Sequence, residues 1–180
     1  MHLTEPAQVI QKFLSRIRFL WQNLFLIGIM AYGVSFYYQL QMHTSLKPLS
    51  YLQALNWISF IIAMGLAISI FQLKRKYFRL GYYEKMIKEL FSRNSDLSEL
   101  QLSRQFTRLV EKKIRLVWLL AVALILVGVI YYWITFDAWN MHVYFIVGLY
   151  SLVINYPRKD LLNQVPYLIK EIYPANGETK

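Results

Sequence analysis

Cysteine is absent from the 180-residue chain, which excludes disulfides, thiolate metal centres and thiol redox chemistry. Charge is scarce, at 17% of residues against about 25% in an ordinary globular chain. No ionisable residue falls in the middle of any long apolar run. That removes the usual marker of a proton relay, an ion path or a buried substrate site. A proton-coupled exporter would lack its membrane carboxylate, and a quinone-linked thiol oxidoreductase its cysteines. There is no Gly-rich phosphate loop, no GxSxG, no HExxH and no pair of carboxylates. Glycine is sparse, and Gly28, Gly33, Gly65, Gly128 and Gly148 form no GxxxG spacing; they are expected at points of close helix packing. Of the three histidines, His43 and His142 fall near the same ends of their runs, but a pair without a third ligand is a weak metal signal. These absences lead to the expectation of a non-enzyme with no cofactor and no metal.

What the chain does have is apolar sequence in blocks: 57% hydrophobic and 17% aromatic residues, with a mean hydropathy of +0.33. Uncharged runs of 28, 26, 21 and 20 residues lie between Arg18 and Lys47, Lys47 and Lys74, Arg115 and Asp137, and Asp137 and Arg158. About 20 apolar residues cross a hydrocarbon layer of ~30 Å as a helix. The expected fold is therefore all-α and integral to a membrane, with four transmembrane helices arranged as two hairpins. Trp21 and Trp118 at one edge, and Tyr37, Tyr38, Tyr51, Trp57, Tyr131, Tyr132, Trp133 and Trp139 at the other, match the aromatic belts of such a protein.

Charge sets the expected orientation. Twelve of the 20 Lys and Arg residues lie between Lys74 and Arg115, three in the N-terminal arm and four in the tail. Lys47 alone marks the loop between the first two spans, and no basic residue marks the last loop. Positive charge is retained on the cytoplasmic side, so both termini and the central segment are expected inside, in the cytoplasmic (inner) membrane. The formal charge of +10 is thereby accounted for by topology and by anionic lipid headgroups at the inner face rather than by nucleic acid.

The expected organisation is an interfacial amphipathic helix over 1–18, a transmembrane hairpin over 19–73, a basic helical segment over 74–115, a second hairpin over 116–157 and an amphipathic tail over 158–180. In the central segment, Leu80, Tyr83, Ile87 and Leu90 keep a heptad-like spacing, and Leu102, Phe106 and Leu109 continue a second stripe into the third span. Asp96 with Glu99 forms a candidate helix cap between them. Spans two and three are thus expected to extend as two helices of about 40 residues, their cytoplasmic ends pairing as a protruding hairpin or lying flat on the bilayer with a bend at Gly81. The halves also echo one another: Ile17-Arg18-Phe19-Leu20-Trp21 opens the first span and Ile114-Arg115-Leu116-Val117-Trp118 the third. Duplication about an axis along the membrane normal and shared membrane grammar both account for that likeness.

Three functions fit this pattern. The first is a scaffold, assembly factor or accessory subunit, docking a membrane-protein partner or lipid on Leu80, Tyr83, Ile87, Leu90, Leu102, Phe106 and Leu109. The second is a small oligomeric channel or transporter lined by the span residues Gln39, Asn56, Ser59 and Ser69. The third is membrane shaping by amphipathic helices at 7–18, 77–91 and 158–172.

Overall fold

The computed structural model describes residues 5–42, 51–93, 98–157 and 164–172. Among them there is no strand. The helices are α1 (Glu5–Met42), α2 (Leu52–Tyr77), α3 (Leu80–Arg93), α4 (Glu99–Thr135), α5 (Ala138–Ile154) and α6 (Val165–Ile172). Three of them, α1, α2 and α4, are long and apolar enough to cross a membrane, while α5 is apolar but has only 17 residues.

The chain divides into two compact units. Unit 1 comprises Met1–Leu20, Arg75–Arg115 and Pro157–Lys180; unit 2 comprises Trp21–Lys74 and Leu116–Tyr156.

Unit 1 is built by burying amphipathic stripes. Ile10, Phe13, Leu14 and Ile17 of α1 recur at helical spacing, and all are buried. So are Tyr83, Met86 and Ile87 of α3, Leu102, Phe106, Val110 and Ile114 of α4, and Val165 and Ile169 of α6. Helix α3 packs on α6, and the Tyr83 ring meets Phe106 edge-on at 5.7 Å. Each fully buried side chain of this size is worth about 1.5–3 kcal/mol relative to exposure. The N-terminal segment is therefore not a separate interfacial helix. It is the first part of the 38-residue α1, and its apolar face lies inside a protein core.

Two further expectations change. Helix α2 has 26 residues and ends at Tyr77, so the second span does not continue as one helix of about 40. The chain bends at Phe78–Arg79 and restarts as α3, with the Arg79 carbonyl accepting from the Tyr82 and Tyr83 amides. Gly81 lies within α3 rather than at the bend. The third span does carry its extension, as the 37-residue α4. Asp96 lies outside the described residues. The cap of α4 comes instead from Ser98, whose Oγ accepts from the Gln101 amide at 3.3 Å while Gln101 Oε1 accepts from the Ser98 amide at 3.2 Å. This reciprocal pair satisfies two amides that a helix start leaves open. Pro166 falls in the first turn of α6, where its missing N–H costs nothing, so it starts that helix instead of interrupting it.

Unit 2 is arranged around α4, whose most apolar window is 56% buried, against 11% and 17% in α1 and α2. Helices α4 and α5 approach closely because Gly148 and Gly128 lack side chains. A Cβ on Gly148 would sit 2.5 Å from Ile125 Cγ1 and 2.9 Å from the Ala121 carbonyl, and one on Gly128 would sit 3.0 Å from Tyr144 Cβ. Gly28 similarly faces Ile125, whereas Gly33 and Gly65 face open space and are not packing points. The α4–α5 turn is two residues long. Phe136 takes a left-handed φ of 58°, a conformation a bulky residue adopts at some cost; its ring lies among Tyr132 and Tyr38. Asp137 then caps α5, its carboxylate accepting from the Trp139 amide at 3.0 Å and from Asn140 Nδ2 at 2.9 Å.

Candidate functional site

The residues expected to dock a partner are placed mostly in the interior of unit 1. Ile87, Leu102 and Phe106 are fully buried and Tyr83 nearly so. Leu90 is half-buried, Leu109 is exposed, and the side chain of Leu80 lies outside the described residues. The stripe is covered by the chain itself, through α1 and α6 as well as by its own pairing. Among the described side chains of the stripe, Leu109 and the edge at Leu90 are the ones left as a surface for another protein or for lipid. Burial also pushes the Tyr83 phenol up to about 12, with the Tyr82 phenol adding to the shift.

Of the span residues Gln39, Asn56, Ser59 and Ser69, two bond across helices. Ser59 hydroxyl meets Tyr144 Oη at 3.2 Å, and Asn56 Oδ1 accepts from Asn140 Nδ2 at 3.0 Å; these join α2 to α5. Ser69 donates to the Gly65 carbonyl of its own helix. Gln39 Oε1 is buried without a hydrogen-bond partner among the described residues. The first two act as interhelical hydrogen bonds, worth about 0.6 kcal/mol each.

His43 lies outside the described residues. His142 Nδ1 is 3.0 Å from the Tyr32 hydroxyl, and the Tyr32 ring stacks on Phe145 at 3.7 Å. No cluster of three metal-ligating side chains occurs among the described residues.

The two tryptophans of the echoed motifs are used on one helix. Trp21 Nε1 donates to the Leu152 carbonyl at 3.0 Å, and Trp118 Nε1 donates to the Asn155 carbonyl at 2.9 Å. Asn155 Nδ2 donates to the Ser151 carbonyl at 2.7 Å. These carbonyls belong to the last turn of α5 and its cap, which the helix leaves without partners. Away from water, each would cost several kcal/mol if left open. Sequence reasoning saw these tryptophans as belt residues, since nothing in their spacing names the carbonyls they reach.

The charged feature that the sequence did not reveal is on α4 of unit 1. Glu111, whose side chain is 12% exposed, is paired with Arg16 of α1 and, at 2.7 Å, with Arg115 one turn on. Beside it runs a shallow groove lined by Gln105, Arg108, Leu109, Glu111, Lys112 and Arg115. A second groove lies on α3, lined by Gly81, Glu84, Lys85, Lys88, Glu89 and Ser92. There Lys88 pairs with Glu84 at 2.6 Å, and that hydrogen bond holds the exposed Lys88 ammonium above its ordinary range. Behind α4, Lys113 Nζ lies 5.0 Å from the centre of the Tyr77 ring, a cation–π contact that ties the end of α2 into unit 1.

Fold and surfaces together define an all-helical protein with three helices apolar enough to span a bilayer. No protein-family model, curated protein or solved structure matches the chain.

Proposed function

We propose that the protein is a non-catalytic integral membrane protein of the cytoplasmic membrane, with four spans in two hairpins and unit 1 on the cytoplasmic side together with both termini. The observation that carries this reading is the outward face of unit 2. Trp57, Ile58, Phe60, Ile61, Ile62 and Met64 of α2 are all exposed, a contiguous apolar surface that water does not tolerate on this scale. Helix α5 is the fourth span. Its 17 residues reach about 26 Å at 1.5 Å per residue, and both its ends are sealed by side chains, Asp137 at one and the two indoles at the other.

Within that frame the protein acts as an accessory or scaffolding subunit, and it docks through the exposed charged faces of α3 and α4, because its apolar stripe is occupied by its own chain. The burial of Ile10, Phe13, Leu14 and Ile17 of α1 and of Tyr83 and Ile87 of α3 favours this reading over membrane shaping, which needs such faces in lipid.

The absence of cysteine makes the topology directly testable. Single substitutions Ser45→Cys and Trp139→Cys are expected to react with an impermeant maleimide from outside intact cells, and Lys85→Cys and Ser92→Cys only after lysis. The reverse pattern overturns the orientation, and labelling of Trp139→Cys and Ser92→Cys from the same side overturns the four-span reading. For the docking role, a photo-crosslinker at Lys85 or Glu89 on α3 is expected to capture a defined membrane partner in mild detergent; a protein that runs alone without crosslinks overturns it.

A further inference from the structure

We propose that the α4 groove is a binding site for the phosphate headgroup of an anionic phospholipid; this rests on the membrane reading above and deepens it. Gln105, Arg108, Leu109 and Lys112 follow at i, i+3, i+4 and i+7 on one face of α4. Among the described residues that line the groove the one carboxylate, Glu111, is already shared between Arg16 and Arg115. Among the described residues, no carboxylate pairs with Arg108 or Lys112, and both are exposed. One guanidinium fork and one ammonium, four residues apart and flanking Leu109 and Glu111, are thus left facing solvent on a surface with net positive charge.

That arrangement matches a phosphate diester. A planar fork engages two phosphate oxygens while a lysine supplies a mobile point charge. Between them Leu109 is 38% exposed, an apolar side chain that the glycerol and upper acyl carbons of a lipid would cover and that a soluble phosphate would leave wet. In the sequence the groove residues directly precede the uncharged run that starts at Leu116, and basic residues flanking such a run are where anionic headgroups are attracted. The α3 groove supplies the contrast. It holds two lysines against two glutamates, with one pair already closed, and so offers an anion no excess of charge.

The test compares two variants that each lose two positive charges, Arg108→Gln/Lys112→Gln in the α4 groove and Lys85→Gln/Lys88→Gln in the α3 groove. The full chain is purified in neutral detergent, and binding of phosphatidylglycerol and of phosphatidylcholine is followed by native mass spectrometry. The wild type is expected to prefer phosphatidylglycerol. The α4 variant should bind it about 30-fold more weakly, from two headgroup-facing charges, and the α3 variant nearly as the wild type does. Equal losses in the two variants would mean diffuse basic attraction and overturn the site, as would equal binding of the two lipids by the wild type. Displacement of the lipid by millimolar inorganic phosphate would assign the groove to a soluble phosphate instead. Membrane fractionation of the expressing cells, before detergent is added, distinguishes the two proposals. Wild-type protein found outside the membrane fraction overturns the membrane reading itself, while membrane-bound protein without lipid preference overturns only the groove.

Discussion

The two units have interiors of the same size and exteriors of opposite kind. Each contributes 13 of the 26 buried apolar side chains among the described residues. Of the 32 large apolar side chains exposed among the described residues, however, only Phe19, Leu109 and Tyr167 belong to unit 1, and the other 29 belong to unit 2. Interior packing therefore does not distinguish them. The surface does, and the proposed membrane setting supplies a physical cause in two different solvents. In water an apolar exterior is penalised at about 25 cal/mol per Å², whereas lipid tails are as apolar as leucine and exact no such penalty.

The largest expected effect that sharpens this contrast is in the interior of unit 1. Phe106→Ala removes a fully buried ring and should cost about 3–5 kcal/mol, whereas Phe60→Ala, on a ring 46% exposed in unit 2, should cost less than about 0.5 kcal/mol because lipid fills the space as well as it wets the ring. Equilibrium unfolding in detergent micelles measures both. If the two costs are alike, the contrast is broken.

Next in size is a charge on the outside. Ile61 is 64% exposed in unit 2 and Tyr167 76% exposed in unit 1. Ile61→Asp should cost about 3 kcal/mol of insertion and reduce the fraction that resists alkaline extraction from membranes. Tyr167→Asp should leave that fraction unchanged.

Alkaline pH should then act on unit 1 through Tyr83, whose phenol is raised to about 12 by burial. An unfolded tyrosine ionises near pH 10, so between about pH 10 and 12 the unfolded chain has released a proton that the folded chain still holds. Stability is therefore full below pH 10 and falls through that window, by about 2–3 kcal/mol from this group. Unfolding of the wild type against Tyr83→Phe across the window is the measurement, and the slope attributable to Tyr83 should vanish in the variant.

The smallest effect separates the close and open glycines inside unit 2. Gly148→Ala should cost about 1–3 kcal/mol by overpacking against Ile125 and the Ala121 carbonyl. Gly65→Ala, with nothing within 4 Å of the added carbon, should be neutral or gain up to about 1 kcal/mol from helix propensity. Thermal unfolding of the two single variants decides it.

How far the candidate site could be read in advance depended on the kind of signal. The stripe at Tyr83, Ile87, Leu102 and Phe106 was legible because helical spacing depends only on local geometry. What would cover it was not, since Ile10 to Ile17 and Val165 to Ile169 are distant in the chain and carry equally good stripes of their own. Glu111 looked like one acid in a basic segment; its pairing with Arg16 crosses 95 positions, which no spacing rule reaches. The Ser98–Gln101 cap is legible as a Ser-x-x-Gln box, but Asp96 with Glu99 offers an equally good pattern two residues earlier, and spacing does not choose between them. The echoed tryptophans show the limit of motif likeness: similar sequences open α1 and α4, yet Trp118 is 1% exposed while Trp21 is half-buried, because α4 is central in unit 2 and α1 is not.

By itself, the sequence determined the helices, the apolar runs and the uneven placement of Lys and Arg, because propensity, hydropathy and charge are summed over neighbouring residues. Tertiary structure alone decided that the amphipathic stripes of the arm, the central segment and the tail close on one another in a shared core. It also decided which cations stay open on α4. Both outcomes rest on pairing between remote side chains, where burial and complementary charge choose among partners that the chain order leaves equivalent.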